Sequence, residues 1–275
     1  MPDFATVPAD VVSADETYLM HTYGRLPVEL VSAKGAVLTD STGKDYLDFL
    51  GGIGCASLGH CHPAVVAAVR DQAERLWQVG NYFYIENRNE AAQAISGLLS
   101  AVTDESGHVE GSTGTTWRMF FGNSGAEANE GAIKVARRWG EVKLGGAAGI
   151  VSAHKSFHGR TLATLAATAQ PAKQEAFQPL PAGFTATPIN DVEALERLFE
   201  TQGDRICAVM IECIQGESGV HPCTEEFVGA IRRLTEEHGA LMICDEVQSG
   251  IFRTGLPYGF QNFGVLPDIV TMAKG

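Results

Sequence analysis

Cations are in short supply in this sequence. Twenty Lys and Arg face 33 Asp and Glu, a formal net charge of −13. That balance opposes adsorption to nucleic-acid phosphates or anionic membranes, so a nucleic-acid partner is not expected beyond what a local basic patch allows. No apolar run approaches the roughly 20 residues that cross a bilayer. The opening stretch MPDFATVPADVVSADETY has neither a cationic nor a sustained apolar segment, and it fails as a secretory signal. Cysteines Cys55, Cys61, Cys207, Cys213, Cys223 and Cys244 include no C-x-x-C pair. Several sit inside apolar runs, and the simplest reading is reduced, buried thiols in a cytoplasmic protein. His60-Cys61-His62 has no second ligand cluster and reads as structural, so no metal is expected.

What is present is ample core material: 275 residues, 45% hydrophobic, enough for more than one structural unit. From Val28 to Leu50 apolar and polar residues alternate around Gly turns, which predicts a small antiparallel meander. Val65, Val66, Val69, Ala73 and Leu76 fall at helical spacing behind Pro63, a helix starter. A second helix is expected from about Asn89 to Leu99. Beyond it, apolar runs alternate with helical patterns: WRMFF (117–121), AGIVSA (148–153), ICAVMIECI (206–214), LMIC (241–244) and DIVTMA (268–273). Such alternation predicts an α/β fold with a mostly parallel sheet covered on both faces. Residues 103–116 and 143–149, rich in Gly, Ser or Thr, read as surface loops without function.

In such sheets ligands gather at the carboxyl ends of the strands, and four of those ends carry chemistry. FFGNSGAEANE runs strand, loop, helix; its glycines and exposed N–H groups suit a phosphate, though an ordinary Ser-capped helix start looks the same. It is not a nucleoside-triphosphate loop. Asp245 closes an apolar run, where an unpaired carboxylate is costly and needs a proton-bearing partner; an N-cap or a structural ion pair satisfies that equally well. Lys274 also follows an apolar run, where a desolvated amine is free to attack a carbonyl; it reads otherwise as an exposed lysine. SFHGRT offers a flat ring in Phe157, a titratable His158 and a carboxylate fork in Arg160, or else core, a satisfied imidazole and a surface ion pair. Taken together, a phosphate site, an amine for an aldehyde and an acid for a ring nitrogen specify pyridoxal 5′-phosphate.

The ordered blocks LGHCHP, NSGAEANEGAIKVAR, FHGRT, IQGESG, DEVQSGIFRTG and DIVTMAKG span the chain, and with them it resembles the class III aminotransferases, pyridoxal-phosphate enzymes of fold type I. The resemblance implies that Lys274 forms the Schiff base and shuttles the proton, that Asp245 pairs with the ring nitrogen, and that Gln248 bonds the ring hydroxyl. It implies a phosphate cradle of Ser124, Gly125 and Ala126, a stacking Phe157, and cofactor contacts at Glu246 and Val247. Arg160 would bind the substrate carboxylate. Glu217 would help the site alternate between a diamino acid and glutamate.

The implied reaction moves the ω-amino group of N-acetylornithine to 2-oxoglutarate, in arginine biosynthesis. Ile53 stands where ornithine δ-aminotransferases carry a tyrosine, which favours an acylated donor; succinyldiaminopimelate, ornithine and 4-aminobutyrate are the alternatives, as is a non-catalytic fragment. Cys213 and Ser218 replace the family's usual Pro and Gly, and Phe252 a frequent Gly, departures that bear on substrate preference. The resemblance further implies an N-terminal segment (1–75) belonging to a small domain, a large cofactor-binding domain (76–275), a homodimer, and a chain cut after its lysine, with a C-terminal small domain missing. Part of the N-terminal apolar surface is then expected to lie uncovered.

Overall fold

The computed structural model describes residues 7–104 and 106–275, which form two compact units, one up to Tyr84 and one from Ile85 to Lys274.

The first unit holds α1 (Ala9–Tyr18), the expected meander β1 (Leu30–Lys34), β2 (Val37–Asp40) and β3 (Asp45–Leu47), a helical turn α2 (Gly51–Gly54) and α3 (Pro63–Arg75). The three strands pair antiparallel in sequence order, Ala33 opposite Leu38 and Leu38 opposite Tyr46. Asp40 ties the β2–β3 turn: it accepts from the Thr42 hydroxyl (2.7 Å), Thr42 N (2.9 Å), Lys44 N (3.0 Å) and Tyr46 OH (2.8 Å). Those donors, the Thr42 hydroxyl foremost, lower its pKa to about 2 against the opposing effect of burial. Asp40 is the only buried residue among those described in this unit. Many of its large apolar side chains are exposed, Phe49, Tyr82 and Tyr84 almost wholly.

The second unit opens with α4 (Glu86–Leu99) and a hairpin of β4 (Ala101–Thr103) and β5 (Val109–Ser112). Residues 103–116 read from the sequence as a surface loop; the structure has a hairpin there, its turn closed by Asp104, which accepts from Ser106 N (2.9 Å) and His108 N (2.9 Å). Residues 117–121, expected as a strand, join no sheet among the described residues. Trp117 and Met119 pack on the core while Phe120 points out, so the alternation is real and only the ladder is missing.

There follow α5 (Gly125–Lys143), β6 (Gly149–Ala153), α6 (Leu162–Ala167), α7 (Pro171–Gln174), β7 (Phe184–Thr187), α8 (Val192–Gln202), β8 (Ile206–Ile211), the short pair β9 (Ile214–Gln215) and β10 (His221–Pro222), α9 (Glu225–His238), β11 (Leu241–Asp245) and β12 (Ile269–Thr271). The main sheet runs β12-β11-β8-β6-β7, all parallel. Successive strand residues turn to opposite faces. Ala208, Met210 and Ile243 meet Ala132, Ile133 and Ala136 of α5, whereas Val209, Ile211, Met242 and Cys244 meet Leu195 and Phe199 of α8 and Phe227, Ile231 and Leu234 of α9. Both faces are thus sealed, as near-continuous apolar strands require. Helix starts are capped by side chains: Ser124 accepts from Glu127 N, Asp191 from Ala194 N and Thr224 from Phe227 N.

Candidate active site

The carboxyl ends of β11 and β12 define the site. Their parallel register sets Asp245 opposite Thr271, and Glu246 N continues the ladder to Thr271 O at 2.8 Å. Lys274 lies three residues past that rung, its backbone in the left-handed region (φ 49°), uncommon for a side-chain-bearing residue. The register therefore sends Asp245 and Lys274 out of the same end of the sheet from neighbouring strands.

Asp245 is 2% exposed. Its Oδ2 accepts from Asn129 Nδ2 (2.7 Å) and pairs with His158 Nδ1 (2.8 Å), and its Oδ1 accepts from Val247 N (3.0 Å). A carboxylate offers about four acceptor sites, so one place on Oδ1 is left for another donor. Asn129 also donates to His158 O (2.7 Å), and His158 N donates to Thr168 Oγ1 (2.8 Å), which fixes the backbone that carries the imidazole. Burial works against a charge on His158, but the hydrogen bond to Asp245, its negative charge and that of Glu212 outweigh it and raise the imidazole pKa. Glu212, 4% exposed at the end of β8, accepts from Phe157 N at 2.9 Å. Burial pushes it up to about 7; His158 opposes the rise and Asp245 adds to it. Asn129 and Glu212 were not singled out from the sequence. Glu212 closes an apolar run as Asp245 does, a signal that identifies both, whereas Asn129 looks like any polar helical residue.

On the other side of the site, the α5 ladder begins with Ala128 N donating to Ser124 O (3.0 Å), so the N–H groups of Gly125 and Ala126 precede it, free for an anion. A β-carbon on Gly125 would lie 2.8 and 2.9 Å from the Val247 methyls and 3.5 Å from Ala273 Cβ. The start of α5 is therefore pressed against both strand ends. Gly159 (φ +139°) brings the SFHGRT loop against Ala126, 3.0 Å from its would-be β-carbon. Gly216 likewise makes room for Gln248, whose Oε1 would sit 2.6 Å from a β-carbon there. Gln248 Nε2 reaches Glu217 Oε1 at 3.3 Å, and Lys173 Nζ reaches Glu217 Oε2 at 3.7 Å. Lys173 and Arg160 both stand over Phe157, 4.5 and 5.7 Å from its ring centre.

Phe157, Arg160, Glu217, Asp245, Val247 and Gln248 lie in this group of contacts, and Ser124, Gly125, Ala126 and Lys274 lie on the segments beside it. Glu246 is distinct in where its side chain goes. Its oxygens turn into the following loop and accept from Ser249 Oγ (2.7 Å), Gly259 N (2.8 Å) and Phe260 N (2.8 Å), and burial raises its pKa despite those donors.

Comparison with known proteins gives the family to which a chain of this fold belongs. The family model for aminotransferase class-III matches residues 18–275, and the chain belongs to that family. It is 47% identical to the acetylornithine aminotransferase of Caldanaerobacter subterraneus over 96% of this chain and 63% of that protein. It is 45% identical to the one from Methanocaldococcus jannaschii over 96% of this chain and 62% of that protein. The chain thus spans under two thirds of the length of these relatives. Among solved structures, the ornithine aminotransferase of Toxoplasma gondii superposes with TM-score 0.85 at 30% identity, over 96% of this chain and 59% of that one. The acetylornithine aminotransferase of Elizabethkingia anophelis does so with TM-score 0.75 at 32% identity, over 96% and 59%.

Proposed function

We propose that this chain is the cofactor-binding portion of an aminotransferase that moves the ω-amino group of N-acetylornithine to 2-oxoglutarate, with pyridoxal 5′-phosphate as cofactor, in arginine biosynthesis. The observation that carries this reading is Asp245, buried, held by His158 and Asn129, and one strand away from the segment that ends in Lys274.

The residues present fit the cofactor. The remaining acceptor place on Asp245 suits a protonated ring nitrogen, the start of α5 suits a phosphate, and Lys274 is the amine to hold an aldehyde. When bound, pyridoxal phosphate supplies the electron sink that stabilises negative charge at the substrate carbon beside nitrogen. Asp245 keeps a proton on the ring nitrogen, and His158 and Asn129 fix the orientation of Asp245. Ser124, Gly125 and Ala126 hold the phosphate through N–H groups and the helix dipole. Phe157 provides the stacking face, Gln248 an amide for the ring hydroxyl, and Val247 wedges the strand end against α5. Arg160 takes a substrate carboxylate, Glu217 tells amine from carboxylate beside it, and Lys274 moves the proton.

Acetylornithine aminotransferases among the relatives at 40–47% identity favour N-acetylornithine as donor, and a T. gondii ornithine aminotransferase with pyridoxal phosphate at its active site favours the cofactor. The structural likeness to ornithine aminotransferases makes ornithine the second reading. A cytoplasmic homodimer completes the proposal; no helix among the described residues is long and apolar enough to cross a membrane.

The test is to load the protein with pyridoxal phosphate, reduce with borohydride and map the labelled peptide, then to measure glutamate formed from 2-oxoglutarate with either donor. The expected result is a pyridoxyl group on Lys274, none in Lys274→Ala, and faster glutamate production from N-acetylornithine. A label that survives Lys274→Ala removes the lysine assignment, and a preference for free ornithine moves the protein to the second reading.

A further inference from the structure

We propose that Glu212 is a positioning residue of this site: its buried carboxyl group tethers the loop that carries Phe157 and His158 and keeps a positive charge on His158, which in turn fixes Asp245. The inference rests on the aminotransferase reading, in which Asp245 faces the cofactor ring, and adds a residue that sequence analysis did not single out.

Sheet register brings the two acids together. Ile211 of β8 stands opposite Cys244 of β11 in a parallel pair, so Glu212 and Asp245 are the next residues out of neighbouring strand ends, and both are buried. One loop serves both acids. Phe157 N donates to Glu212, and the next residue, His158, pairs through Nδ1 with Asp245. Glu212 also accepts from the backbone of Gly216, which ties in the segment that carries Glu217.

The imidazole ring is held from one side only. Its Nε2 is buried and has no hydrogen-bond partner among the described residues, so a proton there is costly unless negative charge lies close by. Asp245 supplies one such charge and Glu212 the other, and together they favour the charged ring against burial. Once charged, His158 meets Asp245 as an ion pair, a shorter and stronger bond than a neutral donor makes. Two further sets of ionisable groups face this cluster. The Cys223 thiol reaches Glu212 O at 3.5 Å and stays neutral, because burial pushes its pKa up to about 12. Arg160 and Lys173 stand over the Phe157 ring.

The experiment follows the charge on His158 directly. The Cε1–H NMR signal of a histidine shifts with its protonation, and His158, the one buried histidine among the described residues, is the signal that a soluble paramagnetic agent leaves sharp. Glu212→Gln keeps the size and an acceptor oxygen but carries no charge at any pH. The His158 midpoint should fall in it by about one pH unit, a tenfold loss of proton affinity. Glu212→Asp restores the charge on a shorter side chain and should recover most of that shift, whereas a residue that only tethered the loop would give neither effect. In the unaltered protein the His158 curve should depart from a single-proton shape, because Glu212 ionises beside it at about 7; this measurement needs no variant to fold. An unmoved midpoint in E212Q, an E212D midpoint equal to that of E212Q, or a single-proton curve in the unaltered protein each overturns the proposal. No cofactor is needed, so failure of the enzyme reading shows separately, as a missing pyridoxyl group on Lys274.

Discussion

His158 Nδ1 and Asp245 Oδ2 lie 2.8 Å apart with both side chains out of solvent. Asp245 comes from a strand end and His158 from a loop 87 residues earlier, and Asn129 on α5 bonds both. Three separate elements are therefore pinned at one carboxylate. A buried charge of this kind is tolerable because aligned donors fill three of its acceptor sites.

Removing the imidazole should expose that dependence. His158→Ala leaves Asp245 buried with a partner lost, and breaking a buried pair from one side costs about 3–5 kcal/mol. His158→Ala combined with Asp245→Asn should be less destabilised than His158→Ala alone. Urea unfolding of the two variants checks this, and an equal or larger loss in the double variant contradicts it.

The cluster also fixes the sign of the pH response. Glu212 titrates at about 7 in the fold against 4.5 as its ordinary value. It is protonated in both states at low pH, and between those values the unfolded chain gives up a proton that the fold retains, so stability falls as pH rises. His158, raised above 6.5, contributes stability that is complete below 6.5 and is lost as pH climbs through its folded value. The two slopes agree. The urea midpoint should decline from pH 6 to pH 8, and Glu212→Gln should flatten the part below pH 7. On the acid side Asp40, held at about 2, acts in the opposite direction, its contribution disappearing as pH falls below its ordinary 3.8.

Much of the architecture could be read from the chain because the signals were local. ICAVMI, LMIC and GIVSA are buried strands that announce themselves by composition, and Thr224, Asp191 and Ser124 mark helix starts by their own chemistry. Where pairing decides, local pattern fails: residues 117–121 alternate as a strand should and find no ladder among the described residues, while 101–112 close into a hairpin through one aspartate. The site divides in the same way. Asp245 and Lys274 stand out because polar groups follow apolar runs. Asn129 does not, because a helical amide gains its meaning only from what another element brings beside it.

Gly125 tests how tightly the start of α5 is set against the strand ends. An alanine there gains helix propensity but drives its methyl to 2.8 Å from a Val247 methyl, and overpacking of that kind costs about 1–3 kcal/mol. Gly125→Ala should be destabilised in a wild-type background and much less so with Val247→Ala, giving a coupling of roughly 1 kcal/mol or more in a double-mutant cycle. Additive losses would mean that the helix start shifts freely.

A second glycine of α5 should respond far more harshly. The β-carbon that Gly140 lacks would fall almost on the carbonyl oxygen of Ala147 and 2.8 Å from Cys207 Cβ, so the obstruction is backbone on one side and a buried strand residue on the other. Neither can swing away as a side-chain tip does. Gly131, on the same helix, would meet only the ring edge of Phe120 at 3.2 Å, and that ring is 72% exposed and free to turn. Gly140→Ala should therefore cost about 3 kcal/mol or more, while Gly131→Ala should be neutral or stabilising by up to ~1 kcal/mol through helix propensity. Far-UV circular dichroism through urea unfolding ranks the two, and similar midpoints would show that α5 is not docked on β8 at Gly140 as closely as the structure places it.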